Sequence, residues 1–414
     1  MAEHHRKQEG EIKQVEQTTC CIVGGGPAGA VLALLLARKG VPVVLLEAHM
    51  DFEREFRGDT IHPPTMEIME QLGLADRLLH IQHSEIREGT IKTTNGSFKF
   101  ADLGILKTKY PYITVMSQAR FIDFLVDEAK HYPSFRLIMG AQVDELIEEN
   151  GVVRGVGYRG QDGRYELRAM LTIGADGRFS RLRHLAGFHL NTTSQTMDAL
   201  WFRLSRKEGD SNEGIGGRVT DKAIFALINR FDYWQIANII RKGGYQEVRT
   251  AGIEQFRNRI VEAIPEFADR VSELKEWKQI SVLSIESNRL TRWYKPGLLL
   301  IGDAAHTMSP VGGVGINYAI QDAVVAANVL TEKLKKGTVQ TRDLARVQRR
   351  RALPTTIIQA VQSFLLNRIL AGALNFNRPM RIPLVLKLLF HFSFVRNIPA
   401  RLFAYGPFPS RLSN

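Results

Sequence analysis

Cysteine is almost absent from this chain of 414 residues, and its two cysteines, Cys20 and Cys21, are adjacent in an apolar run. A chain this long with so few cysteines is not a disulfide-stapled secreted scaffold. The composition, with 44% hydrophobic and 24% charged residues, also excludes disorder and collagen-like repeats. We therefore expect a globular protein of more than one domain, with both cysteines buried in a strand.

The sequence also has little that would target it to a membrane. Residues 1–17 alternate in charge without an apolar core, which predicts a polar N-terminal tail rather than a signal peptide. Residues 18–37 carry no charge and have membrane-spanning length, but the run Gly24-Gly25-Gly26-Pro27 interrupts them. This pattern favours a strand, a turn and a helix, and a cytoplasmic location.

Acidic residues become scarce towards the C-terminus. Residues 342–414 contain 12 Lys or Arg and a single acid, Asp343, whereas the rest of the chain is almost neutral. The formal net charge of +12 therefore belongs mostly to this basic segment. A neutral body argues against a general nucleic-acid-binding surface, so we predict no nucleic-acid partner.

The first motif is a glycine-rich turn. A β-prone run, this turn, a Leu- and Ala-rich helix and a second apolar strand follow one another at residues 20–23, 24–29, 30–38 and 41–46. The turn has the form G-x-G-x-x-G, at Gly24, Gly26 and Gly29, and Glu47 ends the second strand. The glycines allow a tight turn, the approach of a pyrophosphate and close helix packing, while Glu47 would accept hydrogen bonds from a ribose. This unit predicts one dinucleotide site, for FAD or NAD.

A second G-x-G-x-x-G match at residues 155–160 has a different context. A β-prone run precedes it and an Asp-Gly turn follows it, with no helix pattern behind. We interpret it as a hairpin rather than a nucleotide site.

Two further turns place an acid beside glycine at the end of an apolar run. Asp303 follows the strand pattern of residues 298–301, and the glycine-rich loop 310–317 leads from it into a long helix. A carboxylate there can accept hydrogen bonds from a ribityl chain, while the loop amides and the helix N-terminus approach a flat ring. Asp176 could organise a pyrophosphate region, and Arg181 or Arg183 could bind an anion.

These three motifs, in this order and at these separations, resemble those of the class A flavin-dependent aromatic monooxygenases, the relatives of para-hydroxybenzoate hydroxylase. The resemblance extends over nearly the whole chain from Thr18. It implies an α/β fold in which a Rossmann-like FAD-binding domain of the three-layer ββα type carries an inserted β-sheet substrate domain and C-terminal helices. The implied ranges are 18–84, 104–190 and 285–341 for the FAD-binding domain, 85–103 and 191–284 for the substrate domain, and 342–414 for a basic helical segment.

The resemblance also implies individual cofactor contacts. Arg57 lies where the family has a flavin-contacting arginine, and Gln118 matches a polar contact at a helix start, for which Arg120 is the alternative. The predicted FAD-binding residues are Gly24, Gly26, Pro27, Ala28, Gly29, Glu47, Ala48, Arg57, Gln118, Val143, Asp176, Asp303, Pro310, Gly313, Gly315, Ile316 and Asn317.

Substrate contacts are predicted on two strands that alternate aromatic and polar residues. Arg203, Tyr233 and Gln235 lie on these strands, and Pro310 could contribute from the glycine-rich loop. Ordinary sheet positions are the alternative interpretation for the first three.

In the resembled family, NADH or NADPH reduces FAD, and the reduced flavin takes up O₂ to form a C4a-hydroperoxide that hydroxylates an electron-rich ring. The implied substrate is aromatic, either phenol-like or polycyclic. No side-chain nucleophile is needed, and the sequence offers neither a triad nor a metal cluster, so the catalytic residues stay unassigned. His306 follows Asp303 closely, but we expect a packed or solvent-facing histidine there.

Other functions are compatible with the same motifs. A flavin-dependent epoxidase or reductase could act on a lipid or polyketide at the membrane surface. A halogenase would share the FAD motifs, although the tryptophan-halogenase signature Trp-x-Trp-x-Ile-Pro is absent, and a flavin-bound scaffold is the non-enzymatic alternative. The basic segment either packs on the FAD-binding domain or makes weak contact with anionic lipid. A monomer and a homodimer both fit.

Overall fold

The computed structural model describes residues 12–53, 59–94, 96–193, 196–210, 214–370, 398 and 400–413. Within them the strands are β1 Ile12–Val23, β2 Val43–Glu47, β3 Thr60–Ile61, β4 Ser84–Ile86, β5 Glu88–Thr93, β6 Gly96–Asp102, β7 Ile113–Val115, β8 Phe135–Met139, β9 Gln142–Glu149, β10 Val152–Arg159, β11 Arg164–Gly174, β12 Leu190–Thr193, β13 Met197–Ser205, β14 Ile215–Val219, β15 Ile224–Asn229, β16 Tyr233–Arg241, β17 Ser281–Ser284, β18 Ser287–Leu290, β19 Tyr294–Lys295, β20 Leu298–Leu300 and β21 His306–Thr307. The helices are α1 Pro27–Arg38, α2 Pro63–Gln71, α3 Ala75–Leu79, α4 Gln118–Lys130, α5 Arg181–Leu185, α6 Tyr245–Ala251, α7 Ile253–Ala263, α8 Gly315–Lys335 and α9 Thr341–Phe364.

The first large sheet is parallel at its centre. Its strand order is β19-β20-β11-β1-β2-β8, and β10 and β9 continue antiparallel from β11. Strands β1, β2, β11 and β20 run in the same direction, and helix α1 packs between α4 and α8 beside them. The predicted Rossmann-like α/β fold is therefore confirmed, and the glycine-containing segment 155–160 does lie in a hairpin of β10 and β11.

Residues 12–17, which the sequence predicted to be part of a polar tail, belong to strand β1. Strand β1 begins at Ile12 and pairs with the first half of β11, although its first residues are mostly exposed. Lys13 also forms an ion pair with Asp162 at 2.7 Å. The alternating charges that predicted a tail instead belong to the solvent-exposed first residues of a strand.

The second large sheet has the order β17-β13-β16-β15-β14-β5-β6 and is antiparallel except for the β14–β5 pair. Its strands lie within the ranges 85–103 and 191–284. One face packs on helices α6 and α7 through a cluster that includes Phe202, Trp234, Phe256 and Ile260. The other face presents Ala199, Trp201 and Ile239 to an internal cavity, so neither face of the sheet is simply exposed to solvent.

Described residues contain no helix that is both long and apolar enough to cross a membrane. The described end of the basic segment packs on the first sheet's helices. The Tyr405 hydroxyl donates to Glu67 of α2 at 2.7 Å, and the Arg411 carbonyl accepts from Asn328 of α8 at 2.8 Å. Most of the basic residues proposed to meet lipid lie outside the described residues, so that contact stays a prediction.

A buried carboxylate joins α8 to its neighbours. Asp322 has no exposed surface and accepts hydrogen bonds from the Gly302 amide at 3.0 Å, His306 Nε2 at 2.6 Å and Arg351 Nε at 2.7 Å. Burial alone would raise the pKa of Asp322, but His306 and Arg351 lower it below its usual value. The stabilisation is thus complete above the usual Asp pKa, near 3.8, and is lost only as pH falls through the lower folded-state value. His306 is a packed residue, one of the two outcomes expected.

Replacing Arg351 by Met should strongly destabilise the protein, because it leaves the Asp322 charge buried with a weaker set of partners. We expect a loss of about 3–5 kcal/mol in the free energy of unfolding, measured as a lower urea midpoint at pH 7. Arg350→Met is the matched control, since Arg350 lies on the same helix with an exposed side chain. Equal midpoints for the two variants would contradict a structural role for the Asp322 network.

Candidate active site

One cavity collects the motifs that the sequence singled out. Strands β1, β2, β11 and β20 end at the same edge of the first sheet, which is where parallel α/β sheets bind ligands. Glu47 is the last residue of β2, and Gly24, Asp176 and Asp303 follow the ends of the other three strands. All four residues line a cavity of about 1600 Å³. Small-molecule pockets usually have about 300–1000 Å³, so this cavity has room for a dinucleotide and a second ligand.

The glycine-rich turn has the geometry that its three glycines predict. Gly24 has a φ of +104°, and a Cβ there would lie 2.4 Å from the carbonyl oxygen of Ala175. A Cβ at Gly26 would meet no atom within 4 Å, so this position is open to a ligand. Gly29 does not line the cavity. A Cβ at this position would lie 2.0 Å from the Gly24 carbonyl oxygen, so only glycine fits between the turn and the helix. It permits close packing of the helix on the turn, and its predicted contact with the cofactor stays a prediction.

Glu47 is a buried acceptor at the end of β2. Its Oε2 accepts from the Gly25 amide at 2.8 Å, and its Oε1 accepts from the His49 amide at 3.0 Å. Because each carboxylate oxygen has two lone pairs, it can accept from a ligand hydroxyl in addition to a backbone amide. These backbone bonds fix the carboxylate beside the glycine-rich turn.

The Asp176 segment is largely held by its own hydrogen bonds. Asp176 accepts from the Ser180 hydroxyl at 2.6 Å and the Leu182 amide at 2.9 Å, and burial raises its pKa. Arg183 donates to the carbonyl oxygen of Ala304 at 3.0 Å and does not line the cavity. Of the two arginines proposed to bind an anion, Arg181 is therefore the one that reaches the cavity.

The glycine-rich loop before α8 is fixed to the segment around β3. Gly313 has a φ of +62°, and its carbonyl oxygen accepts from Thr60 Oγ1 at 3.0 Å. Asn317 accepts from the His62 amide at 2.8 Å and donates to the Thr60 carbonyl at 2.9 Å. The Asn317 side chain is buried outside the cavity and positions the loop, so its predicted contact with FAD stays a prediction.

Fourteen of the seventeen residues predicted to bind FAD line the cavity. Arg57 lies outside the described residues, and Gly29 and Asn317 lie behind the cavity wall. Gln118 is in the wall, whereas its alternative Arg120 is exposed and donates to Gln82 at 3.3 Å. The residues in place are Gly24, Gly26, Pro27, Ala28, Glu47, Ala48, Gln118, Val143, Asp176, Asp303, Pro310, Gly313, Gly315 and Ile316.

Two of the four predicted substrate residues line the cavity. Gln235 and Pro310 do so, but Arg203 and Tyr233 do not. Arg203 is exposed and stacks over the Tyr233 ring at 4.9 Å, beyond the end of the cavity. Both lie on the same sheet face as Trp201 and Gln235, but further along the strands. The alternation of side chains therefore predicted the correct face of the sheet, but it could not predict where the cavity ends.

Three other cavity residues carried no recognisable signal in the sequence. Asp59 and Arg230 form an ion pair inside the cavity although 171 residues separate them. Phe403, from the basic segment, lies against the glycine-rich loop, because a Cβ on Gly312 would be 2.4 Å from its ring. The neutral His62 ring, whose pKa burial lowers to about 4, holds the Phe403 carbonyl at 3.0 Å.

Comparison with known families identifies the family to which a chain with this cavity belongs. Residues 17–361 match the family model described as "FAD binding domain". The chain belongs to the class A flavin-dependent monooxygenase family. It is therefore an FAD-dependent oxidoreductase of the aromatic hydroxylase type.

Relatives of this monooxygenase agree with that assignment. It is 35% identical to a 6-methylpretetramide 4-monooxygenase from Streptomyces rimosus over 84% of each chain. An anhydrotetracycline hydroxylase structure from the same organism superposes with a TM-score of 0.74 at 22% identity, covering 96% of this chain and 78% of that one. A myxobacterial chondrochloren halogenase gives 0.72 at 20% identity, covering 96% and 98%. These two structural likenesses show the fold alone.

The residues present fit FAD. Two helices, α1 and α8, begin at the cavity, and their N-termini favour the negative charge of a pyrophosphate and a flavin. The open positions at Gly26 and Gly315 leave the backbone accessible to a ligand. The carboxylates of Glu47 and Asp303, at the ends of β2 and β20, would supply acceptors for the ribose and ribityl hydroxyls.

Asp303→Ala should weaken FAD retention, because the ribityl hydroxyls lose a charged acceptor. A hydrogen bond to a charged group contributes about 1.5–3 kcal/mol, which corresponds to a roughly 10- to 150-fold higher Kd, measured by flavin fluorescence during titration of the apoprotein. Asp127→Ala is the control, since Asp127 is exposed and pairs with Lys130 on α4. Unchanged FAD affinity in Asp303→Ala would remove this residue from the predicted site.

Proposed function

We propose that this monooxygenase hydroxylates a polycyclic aromatic compound, with NADPH or NADH as the transient reductant and O₂ as the oxygen source. The observation that carries the proposal is the continuity of the cavity. It extends without a break from the strand ends of the first sheet to the apolar face of the second sheet. A bound flavin and an aromatic substrate would therefore share one compartment.

The wall of the second-sheet part of the cavity favours a large apolar ligand. Its side chains come from edge and inner strands of that sheet and from the basic segment, and include Ile91, Phe98, Phe100, Trp201, Ile228, Ile239, Leu283, Leu366 and Phe403. Aromatic and aliphatic walls with a few polar groups are typical of sites for flat hydrophobic ligands. The similarity to a 6-methylpretetramide 4-monooxygenase supports an aromatic substrate for the present chain.

FAD, when bound, supplies the redox chemistry that activates O₂. The chain's own task is to place the substrate and to keep water out. Trp201 is buried and Phe403 is partly buried, and both line the cavity. They give the substrate apolar contact area. Asn317 and Thr60 hold the glycine-rich loop in one position relative to the substrate wall. Exclusion of water protects a reactive oxygen species from unproductive loss.

The proposal predicts substrate-dependent consumption of NADPH or NADH with incorporation of one atom from ¹⁸O₂. A panel of hydroxylated anthraquinones and naphthols, tested with the FAD-loaded protein, should include compounds that stimulate consumption and gain 16 mass units, 18 with the heavy isotope. Poor mimics should release hydrogen peroxide instead of product. Label from H₂¹⁸O rather than ¹⁸O₂ would overturn the proposal, and an isolated reduced product would point to the reductase alternative.

Trp201→Ala should raise the KM for such a substrate and increase the share of hydrogen peroxide, because the substrate loses contact area next to the site of oxygen transfer. The matched control is Trp277→Ala. Trp277 packs against Tyr245 and Phe256 on the helix side of the same sheet, away from the cavity. Peroxide yields that change equally in both variants would mean that Trp201 acts through stability alone.

A further inference from the structure

Small residues form a row across the cavity face of the second sheet. Gly217 of β14 pairs with Ala226 of β15, and Ala226 pairs with Ala237 of β16. Residues paired in this way stand side by side on one face of a sheet. All three line the cavity, and Gly217 and Ala226 are partly exposed there. Three neighbouring strands therefore carry almost no side chain at the same level of the sheet.

A large side chain bounds this row at each end. Ile91 of β5 is the register partner of Gly217, and Trp201 of β13 is the partner of Ala237. The Ile91 side chain lies beside the open position, because a Cβ on Gly217 would be 3.1 Å from Ile91 Cγ1. Neighbouring strands are about 4.8 Å apart, so four spacings place the Ile91 and Trp201 backbones about 19 Å from each other. The row is thus long but closed at both ends.

Larger side chains flank the row along its whole length. Every second residue of a strand points to the same face, so each small residue has a neighbour on that face before it and after it. These neighbours are Ile215, Ile228 and Gln235 on one side of the row and Val219, Ile224 and Ile239 on the other. Row and flanks together form a groove that crosses the strands, and the three small residues are its floor.

The open side of the groove faces the cofactor loop. Leu366 belongs to the same apolar cluster as Trp201 and Ala237, and Val311 of the glycine-rich loop packs against that cluster. A ligand on the floor would therefore lie between the sheet and the loop that a flavin approaches. A flat, rigid ligand can contact such a floor over its whole length. A flexible chain would lose more conformational freedom on binding there, so the groove favours fused rings.

We propose that the fused rings of the substrate lie flat on Gly217, Ala226 and Ala237, across the strands, and that this floor selects compounds of several rings. A longer side chain at any floor position would hold part of the ring system away from the sheet. A single ring can move aside from one enlarged residue, whereas a ligand as long as the floor cannot. Ile91 and Trp201 limit the sliding of the rings. This inference rests on the proposed function, because it assigns the size and orientation of the substrate in the same site.

The test compares ligands of different length on the FAD-loaded full chain by equilibrium dialysis. 2-Hydroxyanthracene is the three-ring probe and phenol is the one-ring probe. Ala226→Leu should weaken binding of 2-hydroxyanthracene at least tenfold, because the added side chain clashes with the rings, and should change phenol binding less than twofold. Ala251→Leu is the matched control, since Ala251 is exposed at the end of α6, and it should bind both probes as the unmodified chain does.

Two further floor variants test the orientation of the rings. A ligand that crosses all three strands should also lose affinity in Gly217→Val and in Ala237→Val, whereas a ligand lying along one strand would respond at one position only. Retained FAD and unchanged phenol binding show that each variant is folded. If Ala226→Leu loses its FAD, Ala226→Val replaces it, with a smaller loss expected in the same direction.

Three results would overturn the inference. They are unchanged 2-hydroxyanthracene affinity in a folded Ala226 variant, equal losses for 2-hydroxyanthracene and phenol, and a loss at a single floor position. 4-Nonylphenol tests a flexible chain as the occupant, and a loss as large as that of 2-hydroxyanthracene would overturn the assignment of fused rings. These measurements need no turnover. Absence of ¹⁸O incorporation with the expected binding pattern would therefore count against the proposed function alone.

Discussion

Helix α8 depends on one buried carboxylate for its position, and the cofactor side of the cavity depends on α8. The Asp322 carboxylate accepts a hydrogen bond from the Gly302 amide and so fixes the residue that precedes Asp303. Five residues nearer the N-terminus of the helix, Asn317 fixes the glycine-rich loop to Thr60 and His62. Arg351 then connects the same carboxylate to α9. Two buried polar side chains on one helix therefore determine where both loops meet the cavity.

Local motifs made most of this cofactor side predictable. A glycine with positive φ, an acid at the end of a strand and a loop before a helix are all specified by adjacent residues, and the four turns meet because their strands are parallel. Asn317 shows the limit of that reasoning. It lies within the motif, but its amide is satisfied by a segment more than 250 residues away. Nothing local distinguishes such a positioning residue from a ligand contact.

The substrate side was less predictable because its residues depend on long-range registration. Alternation along β13 and β16 identifies which side chains share a face, and Arg203 and Gln235 are direct partners across these strands. The strands continue past the cavity, however, so Gln235 is buried and Arg203 is exposed on the same face. The Asp59–Arg230 pair has the same origin, since it joins segments from the two sheets. Because both faces of this sheet are buried, its strands lack the regular alternation of polar and apolar residues that would identify a solvent-exposed face.

The basic C-terminal segment enters the site in a way that its charge does not suggest. Its described end contributes Ala400, Phe403 and Ala404 to the cavity wall, and Phe403 lies on Gly312 of the loop that a flavin would approach. A side chain at Gly312 would displace this ring, so the glycine serves the packing of the C-terminus as well as the turn. Substrate wall and cofactor loop therefore share an apolar contact. A change in the segment that follows α9 would alter the substrate compartment and the cofactor loop together, although neither contact is visible from the separate motifs.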